Sequence, residues 1–202
     1  METERLQADD HGDLARAAAL LRDGRIVAFP TETVYGLGAR AGDAEALARL
    51  RHVKNRPEGK KFALLLAFPE WMAKWGDPDS RAEALAEAFW PGPLTLVVPD
   101  GAGGDVGLRC PDLESTREML RLSGAAVAAP SANPAGQPPA RDADQVLGYF
   151  EGRIAALVDG GPVELGVAST VVRLTGPELE VIRRGALPEQ KIRRLLQSHG
   201  LL

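Results

Sequence analysis

Short apolar segments alternate with amphipathic segments along most of this chain. Apolar residues recur at helical spacing over 13–22, and the apolar run 26–29 that follows is stopped by Pro30. Towards the C-terminus the apolar runs come closer together, at 169–174 and 179–183. This order predicts an α/β fold with a twisted sheet of mixed parallel and antiparallel strands, flanked by helices.

Neither a repeat nor a low-complexity linker interrupts the 202 residues. The length suits one domain of ordinary to large size, and a hydrophobic content of 45% is enough for a core. We therefore expect a single domain over residues 1–202, with its core at about 13–190.

Charge and composition narrow the classes of partner. A formal net charge of −4 is unlike the basic excess of a dedicated nucleic-acid binder, although it is compatible with a locally basic cleft. Cys110 is the single cysteine and the three histidines are far apart, so neither an internal disulfide nor a Cys/His zinc site is predicted. The acidic N-terminus and the lack of an apolar run of about 20 residues predict no signal peptide, no membrane span and a soluble, cytoplasmic protein.

The segment 30–36, here called the Pro30 loop, has the densest functional groups of the chain. It follows an apolar run and contains two threonines, a glutamate and a tyrosine before a glycine. Because ligands of α/β sheets bind beyond the carboxyl ends of strands, the Pro30 loop is a candidate binding segment. An ordinary polar turn is the alternative interpretation.

A basic segment follows the second predicted helix. Lys54, Arg56, Lys60 and Lys61 place four cations within eight residues, and their repulsion is costly unless solvent or an anion compensates it. Lysine supplies a point charge and arginine a bidentate fork, a combination suited to phosphate groups. A solvated basic loop, or cations paired with a helix dipole, is the alternative.

Further polar residues stand at the ends of later apolar runs. Arg109 ends such a run, so its charge should point into a cleft or meet a carboxylate. Other groups at comparable positions are Ser131, Asn133, Ser169, Thr170 and Arg183. Turn preference, β-propensity and simple solvation are the alternatives for these positions.

Three common enzyme motifs are missing from the sequence. No G-x-x-x-x-G-K-[ST] occurs, which excludes a P-loop enzyme, and no G-x-G-x-x-G follows a predicted strand. No G-x-S-x-G elbow of a hydrolase is present either. Any enzymatic activity of this chain would therefore use a site of a different kind from these three.

Seven segments occur in an order that resembles one known family. They are 28–38 (AFPTETVYGLG), 54–57 (KNRP), 90–95 (WPGPLT), 108–111 (LRCP), 129–133 (APSAN), 169–171 (STV) and 183–185 (RRG). Each motif is moderately specific, and the ordered set across 13–190 is highly specific. The chain thus resembles the YrdC/TsaC family, the threonylcarbamoyl-AMP synthases, and its end at Leu202 resembles the single-domain form of that family.

The resemblance implies a YrdC-like sheet around a concave basic cavity. It also implies an enzyme that joins L-threonine, bicarbonate and ATP into L-threonylcarbamoyladenylate and releases pyrophosphate. The product would pass to proteins that form N6-threonylcarbamoyladenosine at position 37 of tRNA, with at most a weak or transient tRNA contact. Mg²⁺ would bridge the ATP phosphates.

Residue roles follow from the same resemblance. Lys54 and Arg56 would be catalytic. The expected L-threonine ligands are Thr31, Arg109, Ser131 and Thr170. The expected ATP ligands are Lys54, Arg56, Asn133, Arg141, Ser169 and Arg183, with Ser169 between the two substrates. No metal ligand is expected from the protein.

The chain departs from the family pattern at two points. Some relatives carry a threonine-binding histidine on the second strand, where this chain has only apolar residues over 62–67, and Arg184 stands where many relatives have proline. Two alternatives therefore stay open. One is a paralogue of the same fold that makes a carbamoyl adenylate for another acceptor, and the other is a non-enzymatic RNA-binding module.

Overall fold

The structure is a computed structural model that describes residues 2–57, 59 and 61–202. Lys60, one cation of the predicted basic segment, lies outside the described residues. The strands are Glu4–Gln7 (β1), Val27–Phe29 (β2), Gly36–Arg40 (β3), Leu64–Leu65 (β4), Leu94–Pro99 (β5), Asp105–Arg109 (β6), Val127–Ala128 (β7), Ala156–Asp159 (β8), Thr170–Arg173 (β9) and Glu180–Arg183 (β10). The α-helices are His11–Arg22 (α1), Ala44–Lys54 (α2), Met72–Trp75 (α3), Ser80–Phe89 (α4), Glu114–Ser123 (α5), Ala143–Phe150 (α6) and Glu189–Ser198 (α7), and a 3₁₀ helix covers Pro69–Trp71.

Over the described residues the strands form one sheet in the order β1-β8-β2-β3-β7-β4-β6-β5-β9-β10. The pairs β1–β8, β2–β8, β4–β6 and β5–β9 are parallel. The remaining neighbours, including the β2–β3 and β5–β6 hairpins, are antiparallel. The predicted α/β fold with a mixed sheet is therefore confirmed.

The two faces of the sheet bury different helices because side chains alternate along a strand. On β2, Val27 and Phe29 pack with the apolar side chains of α1 and α5. Ala28, between them, packs instead with α2 and α6. Helices thus cover both faces of this half of the sheet.

The other half of the sheet has one core face and one open face. Leu94, Leu96 and Val98 of β5 join Leu108 of β6 and Val172 of β9 in a core with α4 and α7. The intervening residues line a cavity on the opposite face: Thr95, Val97, Asp105, Gly107, Arg109, Val171 and Arg173. Strand alternation therefore makes these three strands the floor of the cavity.

Aspartates begin four of the helices. The side chains of Asp10, Asp43, Asp79 and Asp142 each accept a hydrogen bond from the backbone N–H three residues on, as N-caps do. The helix predicted over 13–22 begins earlier, at His11. The cap is Asp10, and Asp13 instead accepts a hydrogen bond from Gln7 N, which ties β1 to α1.

Two strands were not predicted, and one is shorter than predicted. β1 has the sequence ERLQ with only Leu6 buried, so it carries no apolar run. β3 has the sequence GLGAR, whose two glycines give no strand signal. The strand expected over 62–67 is regular only at Leu64–Leu65. Neighbouring strands, rather than local propensity, order all three segments.

Among the described residues no helix combines the length and the apolar character that crossing a membrane would need.

Candidate active site

A cavity of about 360 Å³ opens above β5, β6 and β9. Its other walls come from the Pro30 loop, from residues 61–65, from residues 129–131 and from the end of β10. Six predicted site residues line it: Thr31, Arg56, Arg109, Ser131, Ser169 and Arg183. Segments that lie more than 150 residues apart in sequence therefore meet at one place.

Positive charge dominates the described lining of the cavity. Arg56, Lys61, Arg109, Arg173 and Arg183 are cationic, and Asp105 is the one acidic residue among the described lining residues. The protein as a whole is acidic, so the cations are concentrated here. Such a lining favours an anionic ligand.

The Pro30 loop holds its own shape through Thr31. The Thr31 hydroxyl donates to Val34 O (2.7 Å) and accepts from the backbone N–H groups of Thr33 and Val34, both at 3.2 Å. From α5, Thr116 Oγ1 donates to Pro30 O (2.6 Å). Thr31 thus lines the cavity with a hydroxyl that is already engaged within the loop.

Tyr35 connects the Pro30 loop to the segment that follows β8. Its hydroxyl donates to Gly161 O (2.8 Å) and accepts from Gly160 N (3.1 Å). Burial raises the pKa of Tyr35 to about 12, so the phenol stays protonated. A second connection runs from Leu165 N to the carbonyl of Glu32 (2.9 Å). The loop is therefore anchored to the segment 160–165.

Arg109 meets the carboxylate that the sequence could not identify. Its Nη2 lies 2.7 Å from Glu32 Oε2, and its Nε donates to Gly92 O at 3.1 Å. Arg109 and Glu32 are each 6% exposed, but only Arg109 is in the cavity lining. Both interpretations of Arg109, as a cavity group and as an ion-pair partner, are therefore correct.

Lys54 is buried behind the cavity lining. Its Nζ donates to the carbonyls of Ser131 and Asn133, the second at 2.7 Å. Burial, helped by the nearby charge of Arg56, lowers the pKa of Lys54 to about 8. The ammonium group holds the 131–133 turn, and Lys54 is not among the residues that line the cavity.

Arg56 does line the cavity. Its guanidinium donates to Lys61 O (2.9 Å) and lies 5.0 Å from the centroid of the Phe62 ring. Arg51 lies over the same ring at 4.8 Å but is not in the lining. Burial, and then the charge of Arg51, holds the pKa of Arg56 below its usual range. Burial therefore removes part of the solvation of the Arg56 guanidinium, and an anionic ligand would replace it.

Ser169 and Arg183 form a hydrogen-bonded corner of the cavity. Arg183 donates from Nε to Ser169 O and from Nη2 to Ser169 Oγ, both at 3.0 Å. Thr95 Oγ1 lies 2.8 Å from Ser169 Oγ. Thr95 stands at a cavity-facing position of β5, so strand alternation could have identified it from the sequence.

Gly185 allows the chain to pass close to this corner. A Cβ at Gly185 would lie 2.3 Å from Ala168 O and 2.4 Å from the carbonyl carbon of Ser169. Only glycine permits this approach of backbone to backbone. The glycine that ends the RRG motif is therefore a packing requirement.

Besides Lys54, three predicted ligands lie outside the lining. Thr170 is fully buried and donates to Leu187 O (2.6 Å), because the residue after Ser169 points to the core face of β9. The Asn133 amide donates to Pro134 O and Gln137 O, within its own loop. Arg141 is exposed and its side chain lies against Gly166. Direct side-chain contact between these residues and a ligand has no support in this geometry.

Lys61 of the predicted basic segment lines the cavity together with Asp105 and Arg173, which were not predicted. Lys61 Nζ lies 3.4 Å from Asp105 Oδ1, and Arg173 Nε lies 3.6 Å from Asp105 Oδ2. Asp105 begins β6 and Arg173 ends β9, and no local motif marks either residue. Among the described residues no three His, Cys, Asp or Glu side chains come together as metal ligands would.

Comparison with known proteins gives the family. The Sua5/YciO/YrdC model, which carries the description "Telomere recombination", matches residues 19–185. The chain belongs to the Sua5/YciO/YrdC family. It is 40% identical over 190 residues to the threonylcarbamoyl-AMP synthase of Pyrococcus abyssi, covering 89% of this chain and 56% of that protein. It is 38% identical over 205 residues to the Bacillus subtilis protein of the same name, covering 96% and 59%.

Solved structures of the Sua5/YciO/YrdC family agree in fold. P. abyssi Sua5 complexed with L-threonine superposes with a TM-score of 0.92 at 36% identity, covering 97% of this chain and 61% of that one. Escherichia coli YciO, at 21% identity, has a TM-score of 0.79 and shows the fold alone. The chain spans less than two thirds of the length of the P. abyssi and B. subtilis relatives.

Proposed function

We propose that this member of the Sua5/YciO/YrdC family is a threonylcarbamoyl-AMP synthase. Its substrates would be L-threonine, bicarbonate and ATP, and its products the threonylcarbamoyl adenylate and pyrophosphate. The observation that carries the proposal is the convergence of six residues from the ordered motifs on one cationic cavity. Two relatives named for this activity, at 40% and 38% identity, support the choice of reaction.

The amino-acid subsite is assigned to the Arg109 side of the cavity. A buried guanidinium with donors free for a ligand suits a carboxylate, and Arg109 is held from behind by Gly92 and Glu32. Ser131 and Thr31 line the adjoining wall. The L-threonine complex of P. abyssi Sua5 supports an amino-acid ligand in a fold of this kind.

The nucleotide subsite is assigned to Arg56 and Arg183. Both line the cavity and both have a pKa held below the usual range, chiefly by desolvation. An ATP phosphate would restore the interactions that burial has taken from these cations. Ser169 lies beside Arg183, at the border of the two subsites.

The proposed reaction needs positioning more than a side-chain nucleophile. The threonine amine and bicarbonate first form a carbamate and water. A carbamate oxygen then attacks the α-phosphate, and the bond to the pyrophosphate leaving group breaks. Carbamates are unstable in water, so enclosure and close placement are valuable. Charge that develops on the phosphate oxygens would be stabilised by Arg56 and Arg183.

Mg²⁺ is proposed to enter together with ATP. The single carboxylate among the described lining residues, Asp105, already faces Lys61 and Arg173. The donor set therefore fits an ion held mainly by the nucleotide phosphates, with at most Asp105 from the protein. When bound, Mg²⁺ would neutralise part of the phosphate charge.

The wider context is also a proposal. The adenylate would pass to proteins that modify adenosine 37 of tRNA, in the cytoplasm, with a weak or transient tRNA contact at most. The concentration of cations in one cavity supports small anions as ligands, rather than a long nucleic-acid surface.

Pyrophosphate release from ATP in the presence of bicarbonate tests the proposed function. Each amino acid would be supplied in turn, and the adenylate would be identified by mass spectrometry. We expect L-threonine to be the one amino acid that stimulates the release of pyrophosphate. Release with a different amino acid would indicate a paralogue with another acceptor, and salt-sensitive RNA binding without turnover would indicate an RNA-binding module.

A further inference from the structure

A buried ion pair lies directly behind the amino-acid side of the cavity. Glu32 Oε2 and Arg109 Nη2 are 2.7 Å apart, and both residues are almost completely buried. Arg109 lines the cavity, whereas Glu32 is not part of the lining. Glu32 therefore does not contact a ligand in the cavity directly, and its side chain meets the cavity lining at Arg109.

The carboxylate of Glu32 is held without hydrogen bonds from any described residue. Both of its oxygens are buried, and the 2.7 Å contact with Arg109 is a close ion pair without hydrogen-bond alignment. A buried carboxylate in this condition is costly to the fold, which makes a purely structural role a poor account of it. The backbone carbonyl of Glu32, by contrast, is fixed by Leu165 N at 2.9 Å.

The pair divides the guanidinium of Arg109 into two edges. Nε donates to Gly92 O, and Nη2 on the same edge faces Glu32. Nη1 donates no hydrogen bond to a described residue. Because the guanidinium is planar, fixing one edge also fixes the direction in which Nη1 is presented.

The charge of Glu32 has a second effect. Arg109 and Arg183 are close enough for the Arg109 charge to help lower the pKa of Arg183, after desolvation. A carboxylate behind Arg109 offsets part of this positive potential. It thereby weakens the attraction of Arg109 for any anion that makes no other contact in the cavity.

We propose that Glu32 is a positioning residue that orients Arg109 for the carboxylate of the amino-acid substrate and reduces the affinity of Arg109 for simple anions. The inference rests on the proposed function for the identity of the substrate. Its effect on anion binding is measurable without turnover.

The test uses Glu32→Gln, which keeps the size of the side chain and removes its charge. Acetate is the probe, because it has the carboxylate of an amino acid without its amine or side chain. We expect acetate to compete with threonine about tenfold more strongly in this variant. We also expect kcat to fall about tenfold while KM for threonine does not rise, since the attraction of Arg109 for a carboxylate is not weakened but its orientation is lost.

Two further variants separate positioning from general damage. Glu32→Asp keeps the charge but is one methylene shorter, so it should lower kcat while acetate stays as weak an inhibitor as in the wild type. Glu118→Gln breaks the exposed pair with Arg121 and should change neither quantity. Melting temperatures report whether each variant folds.

Unchanged acetate inhibition in Glu32→Gln would overturn the proposal, as would a rise in threonine KM that accounts for the whole loss of activity. If Glu32→Gln does not fold, Glu32→Asp decides the question: a lower kcat with unchanged acetate inhibition supports the proposal, and an unchanged kcat or tighter acetate inhibition overturns it. Calorimetric titration with acetate in the absence of ATP tests the role of Glu32 separately from the proposed enzymatic function. A wild type without threonine-dependent turnover refutes the proposed function, while tighter acetate binding to Glu32→Gln still supports the role of Glu32.

Discussion

Lys54 illustrates how far a single residue can be interpreted from sequence. The basic segment correctly indicated a cation near the cavity, but the ammonium group donates to the carbonyls of Ser131 and Asn133. Those acceptors lie 77 and 79 residues further along the chain, so no local pattern could show them. Lysine and arginine side chains are long, and backbone position alone does not decide whether they reach a ligand or a neighbouring loop. The catalytic role expected for Lys54 stays a prediction. Its physical basis would be the support of the 131–133 turn rather than contact with phosphate.

The pH dependence of kcat tests that basis. The pKa of Lys54 is about 8 in the folded protein and 10.5 for an ordinary lysine. Above pH 8 the folded protein loses this proton while the unfolded chain keeps it, so between pH 8 and 10.5 the contribution of Lys54 to stability rises with pH. The protonated form is the one that donates to both carbonyls, so we expect kcat to fall as pH rises through about 8.

The measurement is kcat at saturating substrate, because the free threonine amine also titrates in this range. Lys54→Arg keeps its charge across the range and should show a lower but flatter profile. A wild-type kcat that stays constant from pH 7 to 9 would contradict the assignment.

Arg56 and Arg51 form a matched pair for a second test. Both lie over the Phe62 ring, and only Arg56 lines the cavity. We expect Arg56→Ala to lower kcat/KM by about a hundredfold or more, as loss of a charge-stabilising donor does. Arg51→Ala should stay within about threefold of the wild type. Equal losses in pyrophosphate release would mean that packing on Phe62, rather than contact with phosphate, is what matters.

Strand alternation determines which side chains of the sheet face the cavity. Ser169 and Thr170 are adjacent, and both were expected to bind ligands. Only Ser169 faces the cavity, while Thr170 is buried and donates to Leu187 O. A period of two is visible in the sequence, so this distinction was available to prediction. The pairing of β1 with β8 and the contact of Asp105 with Lys61 could not be predicted, because they join segments that are distant in sequence.

Glycine substitutions test the packing of single elements. Gly185→Ala would place a Cβ 2.3 Å from Ala168 O, a backbone atom that cannot move aside easily. We expect a loss of about 2 kcal/mol or more in the free energy of unfolding. Gly148→Ala meets no atom within 4 Å and lies in α6, so it should gain about 0.5–1 kcal/mol. Denaturant titration of both variants measures the contrast, and shifts of the same sign would refute it.

Across the whole molecule, apolar cores and the cavity share the same strands. The core formed with α4 and α7 lies directly beneath the strands whose other face forms the floor of the cavity. The order of apolar and amphipathic segments was enough to predict the α/β fold, and the ordered motifs indicated that distant segments share one cavity. Of the cations predicted as ligands, Arg56, Arg109 and Arg183 line the cavity. That Lys54 and Arg141 do not could not be predicted, because it depends on how the sheet brings the loops together.

Cys110 provides a probe of the whole fold. It is completely buried in this core, and burial raises the pKa of its thiol to about 12. Since the thiolate is the reactive form, we expect no measurable labelling by a thiol reagent at pH 8 in the folded protein. Labelling should follow global unfolding as denaturant is added. Rapid labelling without denaturant would show that the core beneath the cavity opens locally.

The floor of the cavity has an evolutionary consequence. Residues 95, 97, 107 and 171 face the cavity, while their immediate neighbours in the chain face the core. Mutation can therefore change the shape and charge of the cavity without disturbing the packing beneath, as long as no residue is inserted or deleted within these strands. A sheet with one cavity face and one core face lets related proteins change the ligand that they bind while they keep the same fold.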